Sequence, residues 1–362
     1  MGFDVEKGLL KAYHEEPGVS RVVIPQDVTV IGRQAFSGCQ SLVEVEIPRG
    51  VEHIAKAAFL NCTGLRAVAV AQGTIGDHAF EGCAALEEAA VGPEVTSVGV
   101  HAFSGCGRLH RLSIAPDRTR IGSAAFKGCN ALADENGFCV VGDVLYDCAP
   151  REEACIPEGV REISALAFGQ RTGLREVRMP KSVVKIGAKA FWGCASLRTA
   201  TLSENLTKIG ECAFLNCTSL REIEIPGGVS VLPGRGGMDD SVGGFICIPG
   251  VFDGCVSLRH AGLSRGLEQI GIRAFGGCVS LSSLTIPDSV TEIGVMAFSD
   301  CRALGTIRLS PHVKRIGGLA FPKGIERILV PAMPDGPEKT EFLRRIRGRV
   351  SQSAQIIQES EG

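Results

Sequence analysis

The sequence has almost no charge imbalance, few aromatic rings and no long apolar run, and each shortage closes a class of function. Its 38 basic residues nearly match its 40 acidic ones, leaving a net charge of −2 over 362 residues. Without a basic excess there is no electrostatic case for nucleic acid or an anionic membrane as partner. No run of about 18 apolar residues occurs, so no membrane-spanning helix is predicted. Met1-Gly2-Phe3-Asp4-Val5-Glu6 lacks a basic region followed by an apolar core. No signal peptide is therefore expected, and the expected location is the cytoplasm, with a secreted or surface location as the alternative if a leader has been removed. One Trp and two Tyr leave little with which to stack on sugars or bases. The seven His are scattered. No Ser, His and Asp set, paired buried carboxylates or Cys with a neighbouring base can be assembled, so neither an enzyme nor a cofactor is expected.

What the sequence has is repetition. An Ala-Phe or Val-Phe pair places Phe at 36, 59, 80, 103, 126, 168, 191, 214, 252, 275, 298 and 321. Eight of the eleven intervals are 23 residues, one is 21, and two are lengthened to 42 and 38. A fixed period of this size is the mark of a solenoid, and the array can grow without a second core. Each unit ends in alternating apolar residues, as in Leu42-x-x-Val45-x-Ile47-Pro48 and Leu220-x-x-Ile223-x-Ile225-Pro226. Alternation predicts a short strand, which the Pro ends. The Gly that follows Ile, or Val98 in one unit (Gly32, Gly76, Gly99, Gly122, Gly187, Gly210, Gly271, Gly294, Gly317), suits a positive φ or a close backbone approach. Ala-Phe then turns one ring per coil inward from a short helical or turn segment, and the rings should stack as an offset spine.

The arrangement Ile-Gly-x-x-Ala-Phe-x-x-Cys-x-x-Leu-x-x-Ile-x-Ile-Pro resembles the BspA-like, or Treponema pallidum-type, leucine-rich repeats. The resemblance covers about residues 19–331. It implies an α/β repeat solenoid, a curved rod of about 12 coils of 23 residues with parallel short strands on the concave face. It permits a role as a secreted or surface adhesin toward host or extracellular matrix proteins, and brings no catalytic residues.

Ten of the fifteen Cys fall at one repeat position, from Cys39 and Cys62 to Cys278 and Cys301, with Arg171 and Gly324 in its place in two units. Equivalent residues of stacked coils point their Cβ atoms in parallel, which opposes a disulfide ladder. A column of small buried thiols is expected instead, and it is easiest to maintain in a reducing compartment.

Along the chain, residues 1–18 read as an N-terminal cap, 19–331 as the solenoid and 332–362 as a C-terminal helical cap and tail. The insertion 134–153 reads as a β-hairpin, with Phe138 to Val141 and Val144 to Asp147 flanking Gly142-Asp143. Its neighbourhood holds Cys139, Cys148 and Cys155, whose spacing is not a zinc signature. The insertion 233–249 is Gly-rich without a Gly-Lys-Ser/Thr ending, and reads as a flexible surface loop. Asp239-Asp240 within it would bind a cation only with ligands from elsewhere. Residues 338–350 read as a helix with Phe342, Leu343, Ile346 and Val350 on one side and Arg344, Arg345, Arg347 and Arg349 among the rest. The tail after Ser351 reads as frayed. His78 and His101 share a repeat position in adjacent coils beside Asp77, too few groups for a metal site.

The residues between the inward apolar ones should face the concave side. They run Arg21, Glu44, Glu46, Ala67, Ala69, Glu88, Arg111, Ser113, Glu176, Arg178, Thr199, Thr201, Glu222, Glu224, His260, Ser283, Thr285, Thr306, Arg308 and Arg327. This row is polar, mixed in sign and free of aromatic rings; Trp192, the only Trp, follows an Ala-Phe pair on the other side. The resulting expectation is a monomeric, non-enzymatic scaffold that binds another protein through the concave face. The candidate contacts are Glu44, Glu46, Glu88, Arg111, Glu176, Arg178, Thr199, Thr201, Glu222, Glu224, His260 and Arg308. A surface adhesin and a purely structural spacer are the alternatives.

Overall fold

A computed structural model describes residues 2–239, 244–350 and 352–359, with the side chains of 237–239 and 244–247 left out of the description. By compactness the chain divides into Met1–Ala149 and Pro150–Gly362. Both units are parallel-strand β-solenoids built on coils of about 23 residues, with little helix.

In the first unit the predicted strands stack in parallel as Arg21–Val23, Glu44–Glu46, the start of Ala67–Ile75, the start of Glu88–Val98, and Arg111–Ser113. A second parallel ladder, not anticipated from the sequence, uses the residues just before each Gly: Val30–Ile31, His53–Ile54, Thr74 and Ile75, Ser97 and Val98, then Arg120–Ile121. The 21-residue interval has its explanation here. Ala67–Ile75 crosses between the two ladders as one strand of 9 residues with Gly73 at φ +86°, and its neighbour Glu88–Val98, also one strand, has 11 and takes up the two extra residues as register shifts.

The Ala-Phe segment is a turn in every described coil, so the α/β label rests on one terminal helix. Three alternate residues of the turn donate backbone hydrogen bonds to the next coil, as in His78 N to Val100 O (2.9 Å), Phe80 N to Ala102 O (2.7 Å) and Gly82 N to Ser104 O (2.8 Å). The flanking donors sit in the left-handed region, His78 at φ +58° and Gly82 at +71°. The second site takes Gly, Asn, Asp or Gln, residues with access to that region; the first is filled by Gln34, Ala57, Lys189, Met296 and others at a steric cost.

The Gly after Ile is there for close approach and has no positive φ. A Cβ on Gly210 would lie 2.4 Å from the Ala188 amide nitrogen, and one on Gly99 would lie 2.4 Å from that of Asp77. The Phe rings are fully buried and nearly parallel, 4.7 Å between centroids for Phe36 and Phe59 and 5.6 Å for Phe103 and Phe126. Burying each ring contributes roughly 1.5–3 kcal/mol, before the gain from stacking.

The column in the first unit is closed at both ends. The antiparallel hairpin Phe3–Glu6 with Leu9–Tyr13 turns at Lys7 and Gly8, both at positive φ, and lays Tyr13 on Phe36 at 5.1 Å. At the other end the hairpin Phe138–Val141 with Val144–Cys148 buries Tyr146 edge-on against Phe126 at 5.3 Å. Buried Asp147 anchors it, accepting from Lys127 Nζ, Gly128 N and Cys148 N at 2.7–2.8 Å.

The second unit repeats the plan, with its Phe column running from Phe168 to Phe321. Two expectations change. The Gly-rich insertion is a two-stranded antiparallel ladder, Gly236–Asp239 with Gly244–Cys247, in place of an irregular loop; the side chains of Asp239 and Asp240, on which the cation reading rests, lie outside the description. The tail does not fray along its described length: Gln355–Gln358 adds a parallel strand to Arg327–Val330. Between them the helix Pro337–Arg347, started by Pro and acidic in its first turn, buries Phe342 and Ile346.

Candidate functional site: the strand face

Two surfaces differ in chemistry on these coils. On the turn side, nine cysteines of the column donate Sγ–H to the Phe carbonyl of the preceding coil at 3.0–3.3 Å, among them Cys62 to Phe36, Cys217 to Phe191 and Cys301 to Phe275. Each of these nine thiols therefore has a partner, a role the sequence reading as simple filler missed. Burial pushes the Cys39 thiol up to about 12 and drives Cys217 well above its ordinary value, because the thiolate loses its hydration. These sulfurs are structural and poorly nucleophilic.

On the strand side the exposed alternates stand in register. In the first unit Arg21, Glu44, Ala67, Glu88 and Arg111 form one column, and Ala69, Ala90 and Ser113 belong to the next. Arg21 reaches Glu44 at 3.5 Å and Glu46 at 3.7 Å, and Arg111 pairs with Glu88. The small residues leave a shallow groove of about 740 Å³ with an alanine floor between carboxylate walls. Exposed pairs of this kind are worth little in stability, so the side chains can exchange partners at low cost.

In the second unit the column runs Glu153, Glu176, Thr199, Glu222 and His260, beside Cys155, Arg178 and Thr201. Glu153 is the first residue of the strand Glu153–Cys155, not the last of an insertion; its place before Cys155-Ile156-Pro157 matches that of Glu176 before Arg178-Met179-Pro180. Glu176 pairs with Arg178 at 2.7 Å and Glu224 with His260 at 3.1 Å. The Glu224 carboxylate lies over Gly262, where a Cβ would fall 1.7 Å from its Oε2. A second groove of about 810 Å³ follows, with His260, Ser283, Thr285, Asp288 and Arg308 in its lining. Arg308 is held from two sides, by Glu359 of the returning tail at 2.9 Å and Asp288 at 3.8 Å.

The remaining candidates separate cleanly. Cys139 and Cys148 are buried and Cys155 is exposed on the strand face. His78 and His101 do meet, rings stacked at 5.3 Å, with Glu81 on His78 Nδ1, while His101 Nδ1 is buried without a hydrogen-bond partner among the described residues. Burial is the chief cause that lowers the His101 pKa below the ordinary histidine value. Among the described residues no group of three or more His, Cys, Asp or Glu is arranged to hold a metal ion. Trp192 is half-buried, with Lys189 Nζ 5.8 Å from its ring centroid.

The fold has solved relatives. A leucine-rich repeat protein from Bacteroides ovatus is 23% identical over 99% of this chain and 97% of its own, with a TM-score of 0.49. One from Eubacterium ventriosum is 20% identical over 82% and 91%, with a TM-score of 0.50. One from T. pallidum is 22% identical over 59% and 91%, with a TM-score of 0.34. No curated protein gives a significant match. The sequence matches the BspA type leucine rich repeat region in six copies, over residues 10–133, 142–235 and 249–332. The chain belongs to the BspA-type leucine-rich repeat family.

Proposed function

We propose that this protein is a non-enzymatic scaffold that binds a protein partner through its concave strand face. The observation that carries the reading is the contrast between the two surfaces of each coil. The turn side repeats the same buried Phe and Cys, whereas along the strand side the register columns change among Arg, Glu, Ala, Ser, Thr and His. Such a face can recognise a surface without altering the scaffold beneath it.

Glu222 and Glu224 make the most direct test. They are exposed neighbours on one strand, and reversing both to Lys leaves the buried Ile223 and Ile225 untouched. The expected result is a loss of affinity for the partner captured from native cells of about tenfold or more. Unchanged affinity counts against this face and favours a structural spacer.

The cysteines support a cytoplasmic place of work. Thirteen of the fourteen described cysteines are buried, and a reducing compartment is where buried thiols are most easily maintained. Thiol titration of protein taken from its native cells should find rapid reaction at Cys155 alone among the described cysteines, and at all of them after unfolding. Oxidised cysteines, or removal of the protein by protease treatment of intact cells, would move it outside.

A further inference from the structure

The last coils carry a charge surplus that the rest of the chain lacks. Residues 302–350 hold eleven Lys and Arg against four Asp and Glu, a surplus of seven in a chain whose net charge is −2. Complementing the helix dipole accounts for Arg344, Arg345 and Arg347 in the last turn of Pro337–Arg347. It does not account for Lys314, Arg315 and Arg349, which join Arg345 around a cleft of about 440 Å³ beside the strand Arg315–Ile316.

The local carboxylates do not neutralise this rim. Glu292 pairs with Arg315 at 2.5 Å, and Glu341 with Arg344 at 2.8 Å and Arg345 at 3.6 Å. Arg345 also donates to the Val313 carbonyl at 2.8 Å, which fixes its guanidinium against the last coil. Lys314 and Arg349 are exposed, and among the described residues neither side chain has an ion-pair or hydrogen-bond partner. The floor between these cations is apolar, with Ile272 and Val295 half-buried and Ile316 beneath.

A cationic rim over an apolar floor discriminates among anions. Single-stranded nucleic acid binds by stacking on rings, and none lines the cleft. A membrane would need an apolar helix face to insert, and that face, Phe342 and Ile346, is already buried. A sulfated sugar chain would meet the rim and leave the floor in water. An acidic peptide with an apolar side chain between its carboxylates meets both, through charge-assisted bonds and burial.

We propose that this cleft docks an extended acidic segment of a partner protein, with an apolar side chain on Ile272 and Val295 and carboxylates on Lys314, Arg315 and Arg349. The cleft lies beside the second ladder, off the strand face, so it stands independently of the binding role proposed above.

The probe is a fluorescein-labelled peptide with glutamates on both sides of a single leucine, titrated with the full chain at low salt and read by anisotropy. Lys314→Glu combined with Arg349→Glu, both exposed, should weaken binding about tenfold or more, as should glutamine in place of the peptide's glutamates. Glycine in place of the leucine should weaken it by a smaller factor, and Glu222→Lys with Glu224→Lys should not weaken it. Circular dichroism and Tm verify that the variants are folded. Equal binding to the double variant, or no binding to the wild type, overturns the proposal. Tighter binding by a heparin fragment or a single-stranded oligonucleotide, competing at the same cleft, overturns it as well.

Discussion

The turn side and the strand side of each coil are made by the same repeat and obey opposite rules. On the turn side chemistry is held constant: Phe stacks on Phe, Cys donates to the preceding carbonyl, and Gly clears the way for the neighbouring backbone. On the strand side geometry is held constant and chemistry varies, from Glu153 and Glu176 through Thr199 to Glu222 and His260 in one column. Sameness is therefore the signature of stability in this molecule, and difference the signature of recognition.

That division can be broken deliberately. The largest loss is expected from Phe191→Ala, which empties a fully buried site between Phe168 at 4.9 Å and Phe214 at 5.0 Å. Denaturant unfolding should show about 3–5 kcal/mol less stability. Gly210→Ala comes next: its methyl would sit 2.4 Å from the Ala188 nitrogen, and roughly 1–3 kcal/mol should be lost, whereas Gly173→Ala, with nothing within 4 Å, should be near neutral. Cys217→Ala removes the donor to the Phe191 carbonyl at 3.1 Å and should cost about 1–2 kcal/mol.

A smaller effect follows from pH. The folded pKa of His101 is depressed, so its neutral form is the one the fold favours. That contribution is complete above the ordinary histidine pKa of about 6.5 and is lost as pH falls toward the folded value. Wild-type Tm should therefore decline between about pH 6.5 and pH 5 more than that of His101→Asn. Parallel curves would remove His101 from the account. Smallest of all, Glu222→Lys with Glu224→Lys should change stability by no more than about 0.5 kcal/mol.

The same division explains what could be read from the sequence. The Phe and Cys columns and the strand register were legible because identical residues recur at one period. The second ladder was not, since Val30–Ile31 and its equivalents are only two residues long. The left-handed site before Ala-Phe was hidden because Gln34, Ala57, Lys189 and Met296 share no chemistry. Glu153 was assigned to the insertion because nothing at that boundary marks where the hairpin hands over to the strand. The tail strand Gln355–Gln358 escaped because four residues beyond a helix carry no repeat, so its hold on Arg308 through Glu359 could not be foreseen.

The division of labour is tested most directly by photo-crosslinking in native cells, with the reactive residue placed in turn at Thr201 and Glu222 on the strand face and at Arg33 and Lys189 on the turn side. The account predicts one discrete protein adduct from the strand-face positions, lost when Glu224 is reversed to Lys, and none from the turn side. The same adduct from Arg33 or Lys189, with none from Thr201 or Glu222, would contradict it.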